Sequence, residues 1–96
     1  WSESSYAKTQ SGYTSDVTHP SAELNAEIAA TAAKLGLVIN ESRVHSSDVF
    51  YRENFDEYKE INSKHGCSCV EMESFALFAN AKVLNKRAAC VLTISD

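Results

Sequence analysis

The sequence predicts an α/β fold. Three observations carry the prediction: a helical stretch with a start and a stop signal at 21–36, two further helical patterns separated by a short apolar segment, and a continuous apolar run from Ala88 to Ile94. Amphipathic helices alternating with short apolar segments build layered α/β domains. An unbroken apolar run is the pattern of a central strand covered on both faces.

The elements follow in chain order. Ser2 to Thr18 is rich in Ser, Thr and Tyr and nearly without aliphatics, so residues 1–19 read as a long polar loop. Its polar mixture, with Tyr6 and Tyr13 among the serines and threonines, is unlike a flexible Gly/Ser linker. Pro20 and Ser21 then supply a helix start, Leu24, Ile28 and Leu35 fall on one face, and Gly36 is a stop, giving a helix over 21–35. Leu37-Val38-Ile39 reads as a strand, extended by alternation through Arg43, Val44 and His45, and Val49-Phe50-Tyr51 reads as extended. A second helix fits Phe55 to Lys64, with Phe55, Tyr58 and Ile61 on one stripe and Gly66 after it. Cys67 to Met72 reads as a strand. A third helix, Glu73 to Leu84, is apolar on most sides and is expected between layers. No internal repeat is visible.

Ninety-six residues suffice for one domain with one modest core. At 44% hydrophobic and 23% charged the composition is that of a soluble globular chain, and a net charge of -4 argues against nucleic acid or an anionic membrane as partner. No apolar run is long enough to span a membrane and no signal-peptide pattern is present. Cys67, Cys69 and Cys90 lack zinc-like spacing and read as reduced core residues of a cytoplasmic protein, with no metal site. The chain starts at Trp1 in a polar stretch and stops at Asp96, directly after the Ala88–Ile94 run. A buried strand normally continues into a covering element, so residues 1–96 read as a single partial domain, with the helix and strand core over 20–96.

Two features carry chemistry. Val70-Glu71-Met72-Glu73-Ser74 places two carboxylates two residues apart at a strand-to-helix junction. Glu73 in a first helical turn would complement the helix dipole, which leaves Glu71 in apolar surroundings, where a carboxylate must find hydrogen-bond donors. Vicinal sugar hydroxyls are suitable donors. Thr93-Ile94-Ser95-Asp96 places an acid at the end of the apolar run, where open α/β sheets bind ligands. Partial burial there would raise its pKa toward that of a general acid, while the plainer reading is a helix cap. His19, His45 and His65 have no nucleophile or ligand partner near them in sequence and read as non-catalytic.

Taken together, Val70-Glu71-Met72-Glu73-Ser74-Phe75-Ala76-Leu77 followed by Leu92-Thr93-Ile94-Ser95-Asp96 resembles the nucleoside phosphorylase superfamily, above all the hexameric bacterial-type purine nucleoside phosphorylases. The resemblance extends more weakly over helix 21–35. It implies a phosphorylase/hydrolase-like fold with a central mixed β-sheet flanked by helices. It also implies that Glu73 accepts hydrogen bonds from the ribose 2′- and 3′-hydroxyls, that Met72 packs against the sugar, and that Glu71 supports the same pocket. Phe50 would pack on the purine with the Val70 backbone nearby, and Asp96, oriented by Ser95, would protonate the purine at N7. The implied reaction is phosphorolysis of a purine nucleoside to free base and ribose 1-phosphate, with inorganic phosphate as co-substrate, no cofactor, and a homo-oligomer, a hexamer in the family.

The family's Gly-rich phosphate loop and arginines have no counterpart between Trp1 and Asp96, so these residues describe the nucleoside half of a pocket. A 5′-methylthioadenosine/S-adenosylhomocysteine nucleosidase, which uses water, could carry the same half. A reading from another class is a catalytically silent piece that serves folding or assembly of a larger protein.

Overall fold

A computed structural model describes residues 1–95. It is an α/β arrangement in the order α1 (Tyr6–Ser11), α2 (Ala22–Lys34), β1 (Arg43–Ser46), α3 (Glu57–His65), β2 (Cys67–Glu71) and α4 (Ser74–Val83). Among the described residues the sheet has two strands, and these run parallel as the βαβ order β1–α3–β2 requires. The register pairs Val44 with Cys69, His45 with Val70 and Ser46 with Glu71, with an irregularity between Arg43 and Val44. The ladder closes beyond Ser46, where the Ser47 N–H donates to the Glu71 carbonyl at 2.8 Å. Both strands therefore end, at their C-terminal tips, on Ser46 and Glu71.

The helix termini follow local chemistry. Ser21 caps α2 by accepting the Leu24 N–H at 3.2 Å. The same helix stops where Gly36 enters the left-handed region at φ 68°, with Gly36 N–H bonded to Ala33 and Leu37 N–H bonded to Ala32. Helix α4 ends in the same way without glycine: Asn85 takes φ 53°, and Asn85 and Lys86 donate to Lys82 and Ala81. Asparagine is one of the few side chains that tolerate this conformation. Among the described residues no helix is long and apolar enough to cross a membrane.

Several sequence expectations are revised. The polar stretch 1–19 contains α1, anchored by one small side chain: Ala7 is buried against Phe75 and Ala79 of α4, with Tyr13 packed alongside. Tertiary packing there overrides a composition that reads as loop. The strand expected at Leu37–Ile39 lies instead at its proposed extension, Arg43–Ser46, because Leu37 is committed to closing α2 and Val38 is 91% exposed. Val49-Phe50-Tyr51 forms no strand, and α3 begins after Phe55, whose side chain is exposed. Helix α4 buries Ser74, Phe75 and Ala79 but exposes Leu77, so it is covered on one side only. The run Ala88–Ile94 is not paired as a strand, and Val91 and Ile94 are exposed. Among the described residues its one backbone tie to the rest of the fold is the Ser21 N–H donating to the Ala88 carbonyl at 2.8 Å.

The buried interior is small and unusually polar. Ala7, Ala32, Phe75 and Ala79 are its apolar members, while Ser2, His45, Ser46, Ser47 and Ser74 are buried polar residues. Three of those five, Ser46, Ser47 and Ser74, sit at or just beyond the β1 tip or on the first residue of α4, and His45 directly precedes that tip. Buried polar groups are as a rule hydrogen-bonded, which directs attention to that end of the sheet.

Candidate functional site at the turn from β2 to α4

Strand β2 delivers Glu71 to the C-terminal edge of the sheet, the edge at which open α/β sheets bind ligands. Its half-buried carboxylate is saturated by the chain itself. Oε1 accepts the Ser74 hydroxyl at 2.6 Å and the hydroxyl of Ser46. Oε2 accepts the backbone N–H groups of Glu73 and Ser74, both at 2.7 Å. Burial pushes the Glu71 carboxyl up, but the bonds from Ser46, Ser74 and the two N–H groups outweigh it and hold the carboxyl below its ordinary value. The donors that a buried acid demands are thus protein groups, and they are also the groups that start α4.

Glu73 differs in every respect. Its side chain is exposed, and its carboxylate accepts one bond, from the Met72 N–H at 3.2 Å. Val70 precedes the pair and Met72 lies between them; they are 40% and 39% exposed. The turn therefore presents an apolar thioether beside a carboxylate with unused acceptor capacity, a combination suited to a ligand that offers hydroxyl donors from a partly apolar ring. Phe50 lies in the segment after β1, exposed, with its ring edge-on to Tyr51 at 4.8 Å. Among the described residues no ring contact joins Phe50 to the turn. Ser95 is exposed, and Asp96 lies outside the described residues. A hollow of about 340 Å³ elsewhere is lined by Tyr13, Thr18, Phe78 and Lys82 among others, but by no residue of the Val70–Glu73 motif, so the candidate site is the open surface of the turn.

The sequence profile of the phosphorylase superfamily matches residues 5–96. The chain belongs to the phosphorylase superfamily. Among its relatives are proteins named purine nucleoside phosphorylase DeoD-type. That of Mycoplasma pneumoniae is 44% identical over 66 residues, 69% of this chain and 27% of the relative. That of Oceanobacillus iheyensis is 39% identical over 61 residues, 64% of this chain and 26% of the relative. That of Mycoplasma genitalium is 38% identical over 101 residues, covering 100% of this chain and 41% of the relative. The chain thus spans between about a quarter and two-fifths of the length of these relatives.

In this phosphorylase-superfamily chain a second charged cluster orders the segment that carries Phe50. Glu3 accepts from Arg52 at 2.6 Å, from the Ser47 hydroxyl at 3.2 Å and from the Asp48 N–H at 3.3 Å, and meets His45 Nε2 at 2.9 Å. Burial pushes the Glu3 carboxyl up, but bonds from backbone N–H groups and His45 bring it down to about 2. Arg52 continues to Glu57 at 3.0 Å, tying the segment to the start of α3. His45 is fully buried with Nδ1 unpartnered among the described residues, and Trp1 stacks on His65 at 3.9 Å. Cys67 and Cys69 are half-buried and Cys90 is exposed, so none of the three is the core residue that the sequence suggested; partial burial pushes the thiols of Cys67 and Cys69 up, away from nucleophilic character. Among the described residues no group of three or more His, Cys, Asp or Glu side chains could hold a metal ion.

Sequence reasoning passed over Ser46, Glu3 and Arg52. One signal was available for Ser46: a buried acid at the end of one strand requires donors, and the tip of the neighbouring parallel strand is a place to look for them.

Proposed function

We propose that the protein containing this chain cleaves purine nucleosides by phosphorolysis, giving the free base and ribose 1-phosphate, and that the turn Val70–Glu73 is the sugar-binding part of its site. The observation that carries this reading is the contrast at that turn: Glu71 is saturated by the fold, while Glu73 is exposed with one bond to its carboxylate. Family membership and the names of the relatives support this reaction class.

In the proposed mechanism Glu73 accepts hydrogen bonds from the vicinal 2′- and 3′-hydroxyls, and Met72 packs against the sugar. Phe50 lies against the purine, and the Val70 backbone lines the base. Asp96, helped by Ser95, donates a proton to N7 as the bond from N9 to C1′ breaks. Inorganic phosphate attacks C1′ and forms the new carbon–oxygen bond. The sugar develops oxocarbenium character and the purine develops negative charge, so a proton donor at the base lowers the barrier and raises the rate by a factor of about 10² to 10⁴. No cofactor enters this scheme. The working unit is a homo-oligomer in the cytoplasm, where purine nucleosides and phosphate are its partners.

The experiment is release of hypoxanthine from inosine by the natural-length protein, with and without phosphate. Release that depends on phosphate is expected. Equal release without phosphate overturns phosphorolysis in favour of hydrolysis.

A further inference from the structure

The tip of β1 faces the sugar-binding turn through one side chain, Ser46, which is 4% exposed. Its hydroxyl donates to Glu71 Oε1 and accepts the buried Phe75 N–H at 2.9 Å. Ser74 Oγ lies 2.9 Å away and also donates to Oε1. Each hydroxyl has a single proton, and both are directed at the same carboxylate oxygen, so their close approach is set by Glu71. Ser46 is itself fixed on both backbone sides: its N–H donates to Trp1 at 2.9 Å, and its carbonyl accepts the Ser2 hydroxyl at 2.6 Å. Glu71 in turn holds the Glu73 N–H. A chain of hydrogen bonds therefore runs from the β1 tip, through Ser46 and Glu71, to the backbone of Glu73, with a branch to the first turn of α4.

From this we infer that Ser46 is a positioning residue for ribose recognition: its hydroxyl fixes Glu71, and through it the orientation in which Glu73 meets the sugar diol. The inference rests on the reading of Glu73 as the ribose-binding carboxylate. Ser46 touches no substrate in this scheme. Without its hydroxyl, Oε1 keeps one donor, the Phe75 N–H loses its acceptor, and the 71–74 turn can adopt further orientations. A small displacement of a group that positions substrate is costly, because alignment is lost without loss of the group itself.

The test uses the natural-length protein, with Ser46→Ala and the shape-matched pair Ser46→Thr and Ser46→Val, which differ in the hydroxyl. Substrates are inosine and 2′,3′-dideoxyinosine in phosphate, and hypoxanthine affinity reports the base site. The expected result for Ser46→Ala is a fall of about 10- to 100-fold in kcat/KM for inosine. Turnover of dideoxyinosine and hypoxanthine affinity stay near wild type, and Ser46→Thr exceeds Ser46→Val on inosine. A merely structural role would lower all three readouts together. If Ser46→Ala does not fold, the Thr/Val comparison decides alone. The inference is overturned by an active wild type whose Ser46→Ala cleaves inosine equally well, by equal losses on both nucleosides, or by Thr and Val behaving alike. A wild type that cleaves no purine nucleoside in phosphate overturns the functional reading itself, and the ribose role of Ser46 with it.

Discussion

Replacing Glu71 with alanine tests whether this carboxylate builds the turn that carries Glu73. The side chain accepts four hydrogen bonds, from the Ser46 and Ser74 hydroxyls and from the N–H groups of Glu73 and Ser74. Hydrogen bonds to a charged group contribute about 1.5–3 kcal/mol each, so a simple sum of four would rival the stability of an entire small domain. The geometry reduces that figure. The two hydroxyls are 2.9 Å apart and can turn toward each other, and the Glu73 N–H is exposed and reaches water. What remains is the half-buried Ser74 N–H without an acceptor and the lost negative charge at the start of α4. Together these cost about 3 kcal/mol. Glu71→Gln keeps one carbonyl oxygen for the N–H pair and costs less. Guanidinium unfolding of the natural-length protein measures both variants, as a lower midpoint with unchanged slope. The pH dependence has a definite sign. The folded carboxyl lies below its ordinary 4.5, so its contribution is complete above that pH and is lost as pH falls through the lower folded value. The gap between wild type and Glu71→Ala is therefore full at neutral pH and narrows on acidification below 4.5. Equal midpoints at neutral pH, or a gap that widens in acid, would refute the reasoning.

The other expectations concern the second carboxylate, the proposed proton donor and the cluster around Glu3. Glu73→Ala weakens turnover of ribonucleosides while sparing analogues without the 2′- and 3′-hydroxyls, and equal loss on both classes in steady-state kinetics contradicts the sugar role. Asp96→Asn lowers kcat on inosine by about 10² or more with little change in nucleoside binding, and wild-type turnover removes Asp96 from the mechanism. Glu3 has a folded pKa of about 2 against an ordinary 4.5, so its contribution to stability is complete above 4.5 and fades toward 2. Acid titration followed by circular dichroism should accordingly show a shallower loss of stability in that window for Glu3→Gln than for wild type.

What the sequence disclosed depended on how local each signal was. Helix α2 was legible because both of its ends are encoded in adjacent residues, Ser21 as cap and Gly36 as the left-handed stop. The β2–α4 junction was legible for a similar reason, since the change from the Cys67–Glu71 strand to the Ser74–Val83 helix falls within four residues. Helix α1 was hidden because its anchor is one alanine, Ala7, whose burial depends on Phe75 and Ala79 far along the chain. The Ala88–Ile94 run misled in the opposite sense. Its composition describes a strand covered on both faces, yet a strand needs a partner for its backbone groups, and here β1 and β2 pair with each other. At the site, the acids were visible in the sequence and their partners were not. The Ser46 hydroxyl reaches Glu71 across 25 positions of sequence, and a serine at a strand end is too common to announce such a contact.

The spacing of two acids separated by one residue has a physical consequence for recognition. A carboxylate offers about four acceptor sites, and Glu71 uses that number on the chain. A sugar hydroxyl approaching Glu71 would have to displace an intramolecular donor and strand it, which cancels the bond it forms. At Glu73 the same hydroxyl displaces water from an exposed carboxylate and leaves the fold intact. The negative charge of Glu71 is at the same time compensated by its four donors, which lessens its repulsion of a second carboxylate two residues away. The fold thus commits Glu71 to the turn and leaves Glu73 open, the arrangement that the proposed discrimination of a vicinal diol from a sugar that lacks it requires.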